Sequence, residues 1–246
     1  MMFFYKSGSH THVTLVGTVA CSRSLAAKGA AFTQIGVEIV ESFKAKDGSV
    51  KESTSVIPVF VEGEKSFETG AVVCVSGDLS ICMVAPKSEA QKFDLCQEAV
   101  RNADVHVLAD FGREGIQGMN QAFLLGRVGS VRAVKSASSS GCALSLAVSR
   151  SQKTEDKIEP VTDWHEVAFW GRRAESLTKL AVGKGDILLV RGRLTTRTVK
   201  VADRDRSLLT FMAEDFSLVS RKTPAPSAQA APLPVDSISD AEVPFF

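Results

Sequence analysis

Apolar residues in this chain fall mostly in short runs that alternate with polar ones. In residues 186–199, Leu188, Val190 and Leu194 share one parity while Arg191, Arg193 and Arg197 take the other. In residues 162–170, Val167 and Phe169 oppose Trp164 and Trp170. A period of two puts alternate side chains on opposite faces of a strand. On this pattern the second half of the chain is predicted to form strands at 122–135, 142–149, 162–170, 186–199 and 207–219. Residues 172–185 carry a helix-like spacing of Ala, Leu and Glu. The polar stretch 150–160 reads as a long loop and 200–206 as a shorter hairpin loop.

The pattern occurs twice. Leu15-Val16-Gly17-Thr18-Val19 returns as Leu124-Leu125-Gly126-Arg127-Val128, which places Gly126 109 residues after Gly17. Val59-Phe60 and Ala168-Phe169 keep that separation. Val75-Ser76-Gly77-Asp78-Leu79 returns as Val190-Arg191-Gly192-Arg193-Leu194, now 115 residues on. The six extra residues fall between the third and fourth strands, so the first copy is expected to have its helix cut back. Its strands are predicted at 13–20, 32–41, 54–61, 71–82 and 93–108, with Pro58 marking the third as an edge or bulged strand. Five strands in order β-β-β-α-β-β over about 100 residues are what an OB-fold barrel requires. The predicted fold class is therefore all-β: two tandem five-stranded Greek-key OB-fold barrels with a short helix between strands 3 and 4. The predicted division is a degenerate barrel at 1–111, a linker at 112–119 containing Gly112, Gly115 and Gly118, a second barrel at 120–221, and a disordered tail at 222–246, rich in Pro, Ala and Ser.

Composition agrees with a globular chain: 246 residues, 44% hydrophobic, 23% charged and a net charge of +1. No run approaches the ~18 apolar residues of a membrane helix. The near-zero net charge hides a split. Residues 1–115 carry 11 Lys and Arg against 14 Asp and Glu, whereas 116–222 carry 18 against 11. The last 24 residues have three acids and no base. A basic second half points to a polyanion as its ligand. Cys21, Cys74, Cys82, Cys96 and Cys142 make an odd set without a C-x-x-C pair, so buried, reduced thiols are expected rather than zinc or a disulfide framework. The run ending Val19-Ala20-Cys21 is interrupted by His10 and His12 and recurs inside the chain, so it does not read as a secretory signal. A cytoplasmic, nucleoid-associated protein is expected.

If the apolar parity fills the barrel, Arg191, Arg193 and Arg197 stand in a row outside it, with Trp164 and Trp170 also on a non-core face. Cations for phosphates beside flat rings for bases suit single-stranded nucleic acid, at ~1–3 kcal/mol per stacked base. A solvated basic face with the tryptophans in an oligomer interface satisfies the same parity.

Three segments then carry a family resemblance: 120–128 (NQAFLLGRV), 163–171 (DWHEVAFWG) and 190–197 (VRGRLTTR). Together they closely resemble the bacterial single-stranded DNA-binding protein (SSB) family, over about residues 119–220. The first copy resembles it only through the repeat. Two barrels in one chain resemble the arrangement of Deinococcus and Thermus SSB proteins, which implies a homodimer with four barrels. The resemblance implies base stacking by Trp164 and Trp170 and a basic DNA path at Arg172, Arg197 and Lys153. Arg127, Arg191, Arg193 and Lys200 complete the expected basic set. It implies a subunit-interface place for His165, although parity puts that residue on the core side, where a structural histidine is equally expected. Two aromatic positions usual in the family are absent, at 150–152 and at Val199. In the first copy Trp164 is matched by Ser55 and Trp170 by Val61, while Ser76, Asp78 and Cys82 replace the arginines. That copy is expected mainly to complete the assembly.

The end of the tail, with Asp240, Glu242, Pro244, Phe245 and Phe246, resembles the acidic SSB tip that recruits replication and repair proteins. His10-Thr11-His12 is expected to be a mobile N-terminal segment, and Asp203-Arg204-Asp205 a solvated loop. No phosphate-loop, zinc-protease, nucleophile-elbow or dinucleotide motif is present, so no catalysis, cofactor or metal is expected. The favoured function is coating single-stranded DNA with little sequence preference while recruiting enzymes through the tail. A primosome or recombination accessory scaffold with weak DNA binding is the alternative, and an OB-fold RNA-binding or nuclease protein is a third reading.

Overall fold

The computed structural model describes residues 10–27, 30–44, 48–84, 95–108, 118–135, 140–154, 157–201 and 204–222, and among them it holds ten strands and one helix. The first five strands are β1 (His10–Ala27), β2 (Ala30–Lys44), β3 (Val50–Glu62), β4 (Val72–Val84) and β5 (Leu95–Val107). Then follow β6 (Met119–Lys135), β7 (Ser140–Thr154), β8 (Lys157–Trp170), α1 (Arg172–Lys179), β9 (Ile187–Val201) and β10 (Arg204–Ser220). The first barrel runs β1-β2-β3-β5-β4 and closes on β1, with a parallel β3–β5 bridge at Val59–Val100. The second runs β6-β7-β8-β10-β9 and closes on β6, with Phe211 beside Val167 at its parallel step. The two-barrel all-β fold thus appears as expected. Pro58 sits in a strand whose second edge is met at that single bridge.

Each barrel is filled by the inward parity of its strands. Leu15, Ile35, Ile57, Val75 and Val100 are fully buried in the first, and Leu124, Leu144, Val167, Leu188 and Phe211 in the second. Phe169 and Phe216 meet edge to face at 5.6 Å. Ala174 and Leu177, three apart on α1, are buried beneath its exposed residues. Gly171 turns the chain from β8 into that helix at φ 56°, a region that strains a residue with a Cβ. Residues 63–71 contain no helix in the first barrel, as its shorter connection predicts.

The barrels join by β1–β6 pairing, antiparallel, with Val13 facing Ala122, its own counterpart in the repeat. A residue facing its counterpart defines a pseudo-two-fold axis, and the flanking contacts obey it. Thr11 Oγ1 donates to Leu79 O, while Asn120 Nδ2 donates to Leu194 O. Ile81 N donates to Asp163 Oδ2, while Thr196 N donates to Ser55 Oγ. Asp163 and Ser55, each from across the joint, thereby satisfy strand-edge amides that would otherwise template further pairing.

Four expectations need correction. The 150–160 loop is instead a two-stranded arm, paired from Arg150–Val161 to Thr154–Lys157, and 200–201 and 204–206 likewise extend β9 and β10. The sequence there is polar and shows no apolar alternation, so no alternating signal marked them. His10-Thr11-His12 belongs to β1, held by β6 and by the Thr11–Leu79 bond. Its partner strand lies in the other barrel, beyond the reach of local reading. Met119, read as the last linker residue, already pairs in β6 opposite Val16. Finally, Ser55 pairs like Asp163, so the counterparts of Trp164 and Trp170 are Val56 and Glu62 rather than Ser55 and Val61. Ser55 is buried whereas Val56 and Trp164 are exposed, and a one-residue slip exchanges the faces of a strand. The tail positions Asp240, Glu242, Pro244, Phe245 and Phe246, together with Gly112, Gly115 and Asp203, lie outside the described residues.

Candidate nucleic-acid interface

The outer wall of the second barrel formed by β6, β7 and β8 is built around a strand of small side chains. Cys142, Leu144, Leu146 and Val148 of β7 point into the core, where burial also pushes the Cys142 thiol pKa up. That leaves Gly141, Ala143, Ser145, Ala147 and Ser149 on the outward parity, where Ala143 is itself covered by its neighbours. Across this low strand, Trp164 is registered with Ala147 and then Arg127, and Trp170 with Gly141 and then Val134. The six-membered ring of Trp164 reaches past Ala147 to lie against Gly129 of β6, where a Cβ would collide with Cζ3. A Cβ on Gly141 would stand 2.7 Å from Cε3 of Trp170. Trp164 remains 52% exposed and Trp170 is half-buried. Both indoles therefore lie supported on the sheet with ring surface open to solvent. Gly129→Ala is expected to lift the Trp164 ring at a cost of about 1–3 kcal/mol; a red-shifted Trp emission and a modest fall in Tm check this.

Basic residues border the indoles unevenly. Arg127 is exposed, and its Nη1 donates to Gly185 O at 2.7 Å. Arg172 is exposed at the start of α1, immediately after the Trp170-Gly171 turn. Arg132 pairs with Glu166 at 2.5 Å, directly between the two indole rows. Sequence reasoning missed this pair, together with Gly129 and Gly141; the available signal was glycine within strand patterns, which marks close approach. The arginine row of β9 is not the free row expected. Arg191 is exposed, 3.9 Å from Asp215, but Arg193 turns toward Glu41 of the first barrel at 3.7 Å. The backbones of Lys153, Arg197 and Lys200 lie on the two arms, opposite Ile158, Leu208 and Asp205; their side chains are outside the described set.

The inward residues of β8 serve the joint between barrels. Asp163 accepts from Ser80 Oγ and Arg150 Nε, both at 2.8 Å, and from Ile81 N. Burial alone would raise its pKa, but the Arg150 guanidinium, Ser80 hydroxyl and Ile81 amide outweigh that and hold its carboxyl below the usual range. His165 is fully buried, with Nδ1 2.8 Å from Glu98 Oε1 of the first barrel. This intrachain contact accords with the structural reading of the histidine.

The family model described as the single-strand binding protein family matches residues 119–219, the second barrel. Single-stranded DNA-binding protein 2 of Clostridium acetobutylicum is 34% identical over 105 residues, covering 41% of this chain and 77% of that protein. The single-stranded DNA-binding protein of Clostridium tetani is 32% identical over 100 residues, covering 39% and 67%. The crystal structure of the wild-type single-stranded DNA binding protein from Thermus aquaticus superposes with a TM-score of 0.65 at 21% identity, covering 92% of this chain and all of that one. The likeness to the Thermus structure takes in both barrels and is one of fold.

Proposed function

Because the chain belongs to the single-strand binding protein family, we propose that it binds single-stranded DNA with little sequence preference. The observation that carries this reading is the pair of indoles laid over a strand of small residues and flanked by arginines. Bases stack on Trp164 and Trp170 whatever their identity, because every base has a π face. Arg127, Arg172 and Arg191 meet the phosphates, joined by Lys153, Arg197 and Lys200 from the arms. The first barrel, net negative and without aromatics at the matching places, completes the assembly. A homodimer of four barrels, a place at the cytoplasmic nucleoid, and recruitment of replication, repair or recombination proteins by Asp240, Glu242, Pro244, Phe245 and Phe246 belong to the same proposal, as does the absence of catalysis.

Titration with oligo-dT at several salt concentrations tests it through intrinsic fluorescence, since Trp164 and Trp170 are the two tryptophans of the chain. The expected result is quenching of most of the emission, with log affinity falling against log salt by about 0.7 per phosphate neutralised. No quenching and no binding would reject the reading. Weak binding combined with tight capture of replication proteins would favour the accessory-scaffold alternative, which the diversion of Arg193 to Glu41 supports.

A further inference from the structure

Arg193 and Glu41 belong to different barrels and meet where the outer face of β9 approaches β2. Arg193 Nη1 lies 3.7 Å from Glu41 Oε2, longer than a charge-assisted hydrogen bond. Among the described residues, Arg193 Nε is buried with no hydrogen-bond partner. A guanidinium carries five donors in a fixed fork, so this one is incompletely satisfied and retains capacity for a better acceptor. Glu41 is poorly served as well. Burial raises its pKa, Arg193 only partly offsets that, and the nearby Glu214 adds to the rise. Both side chains keep some contact with solvent, at 38% and 21% exposure, so the pair is open to an incoming anion. Two positions before Arg193 on the same outer parity stands Arg191, exposed and held only loosely by Asp215.

We propose that Glu41 of the first barrel competes with DNA phosphate for Arg193, so that the first barrel sets a ceiling on the affinity of the second. The carboxylate occupies a place that a phosphate oxygen would otherwise fill. Binding there must break the Glu41 contact and leave a half-buried carboxylate behind. This inference rests on the reading of the second barrel as a DNA interface, and it gives the first barrel a part in binding beyond completing the assembly.

The test measures a labelled oligo-dT by anisotropy against full-length wild type, Glu41→Gln, Arg193→Ala and the double variant, across a salt series. Glu41→Gln is expected to tighten binding about three- to tenfold and to steepen the salt slope by about 0.7, one further phosphate neutralised. In the Arg193→Ala background the same substitution is expected to change nothing, because the gain passes through that guanidinium. Glu52→Gln, an exposed acid on β3, controls for the loss of one negative charge from the first barrel. An unchanged or weaker Glu41→Gln, or a gain equal to that of Glu52→Gln, or a gain that persists without Arg193, overturns the proposal while leaving the DNA-binding reading intact. Failure of wild type to bind at all overturns both. Thermal unfolding of each variant separates a lost inter-barrel clamp, which lowers Tm without tightening, from relief of competition.

Discussion

Replacing both Trp164 and Trp170 by alanine is expected to weaken binding of a labelled oligo-dT by about 2–6 kcal/mol, from roughly thirtyfold to roughly 25,000-fold, at ~1–3 kcal/mol for each stacked base. The reason is geometric. Trp164 is 52% exposed although it rests on Gly129, and Trp170 is half-buried on the same outer face, so neither ring belongs to the barrel core. Folding should therefore survive, with far-UV circular dichroism unchanged. The salt slope should also stay near its wild-type value, because stacking releases no counterions. Anisotropy of the oligonucleotide provides the readout, since this variant has no tryptophan left to quench. An affinity within twofold of wild type would move the site away from β8.

Asp163 provides the largest expected effect on stability. Its carboxylate accepts three hydrogen bonds, two of them from the first barrel, and its side chain is 6% exposed. Asp163→Ala removes the acceptor that the Ile81 amide, the Ser80 hydroxyl and Arg150 Nε share. The expected loss is about 2–4 kcal/mol, below the range of a fully buried pair because Arg150 is 28% exposed. Urea unfolding measures it. The pH dependence has a definite sign. A carboxyl whose folded pKa lies below its unfolded value binds fewer protons when folded. Its stabilisation is present above the unfolded pKa, about 3.9, and is lost as pH falls through the lower folded value. The stability difference between wild type and Asp163→Asn should accordingly shrink as pH drops below about 4. A difference that holds constant to the lowest pH would mean that the carboxylate charge is not what joins β8 to β4.

Both indoles were legible because each violates a simple rule: a large aromatic on the parity opposite the core demands an explanation. The arginines on β9 were legible as outward-facing but not as to what they face. Parity says which side of a strand a residue occupies and nothing about what approaches that side. Arg191 meets solvent while Arg193, on the same face, meets a carboxylate more than a hundred residues away in sequence. The arms on β7–β8 and β9–β10 escaped for a related reason. Their pairing is carried by backbone hydrogen bonds, which need no apolar alternation in the sequence.

By itself the sequence determined the ten core strands and the helix, the twofold repeat, the missing helix of the first copy and the outward placement of the tryptophans. All of these follow from hydrophobic periodicity and from local spacing. Only the tertiary structure decided how the copies meet. It placed Val13 opposite Ala122, buried His165 against Glu98, seated Ser55 and Asp163 on each other's barrel, and corrected the partner of Trp164 to Val56. The physical reason is that register between strands from different barrels depends on hydrogen bonds and side-chain contacts made across long loops. A one-residue shift there leaves the local pattern of either strand unchanged while exchanging every side chain between joint and solvent.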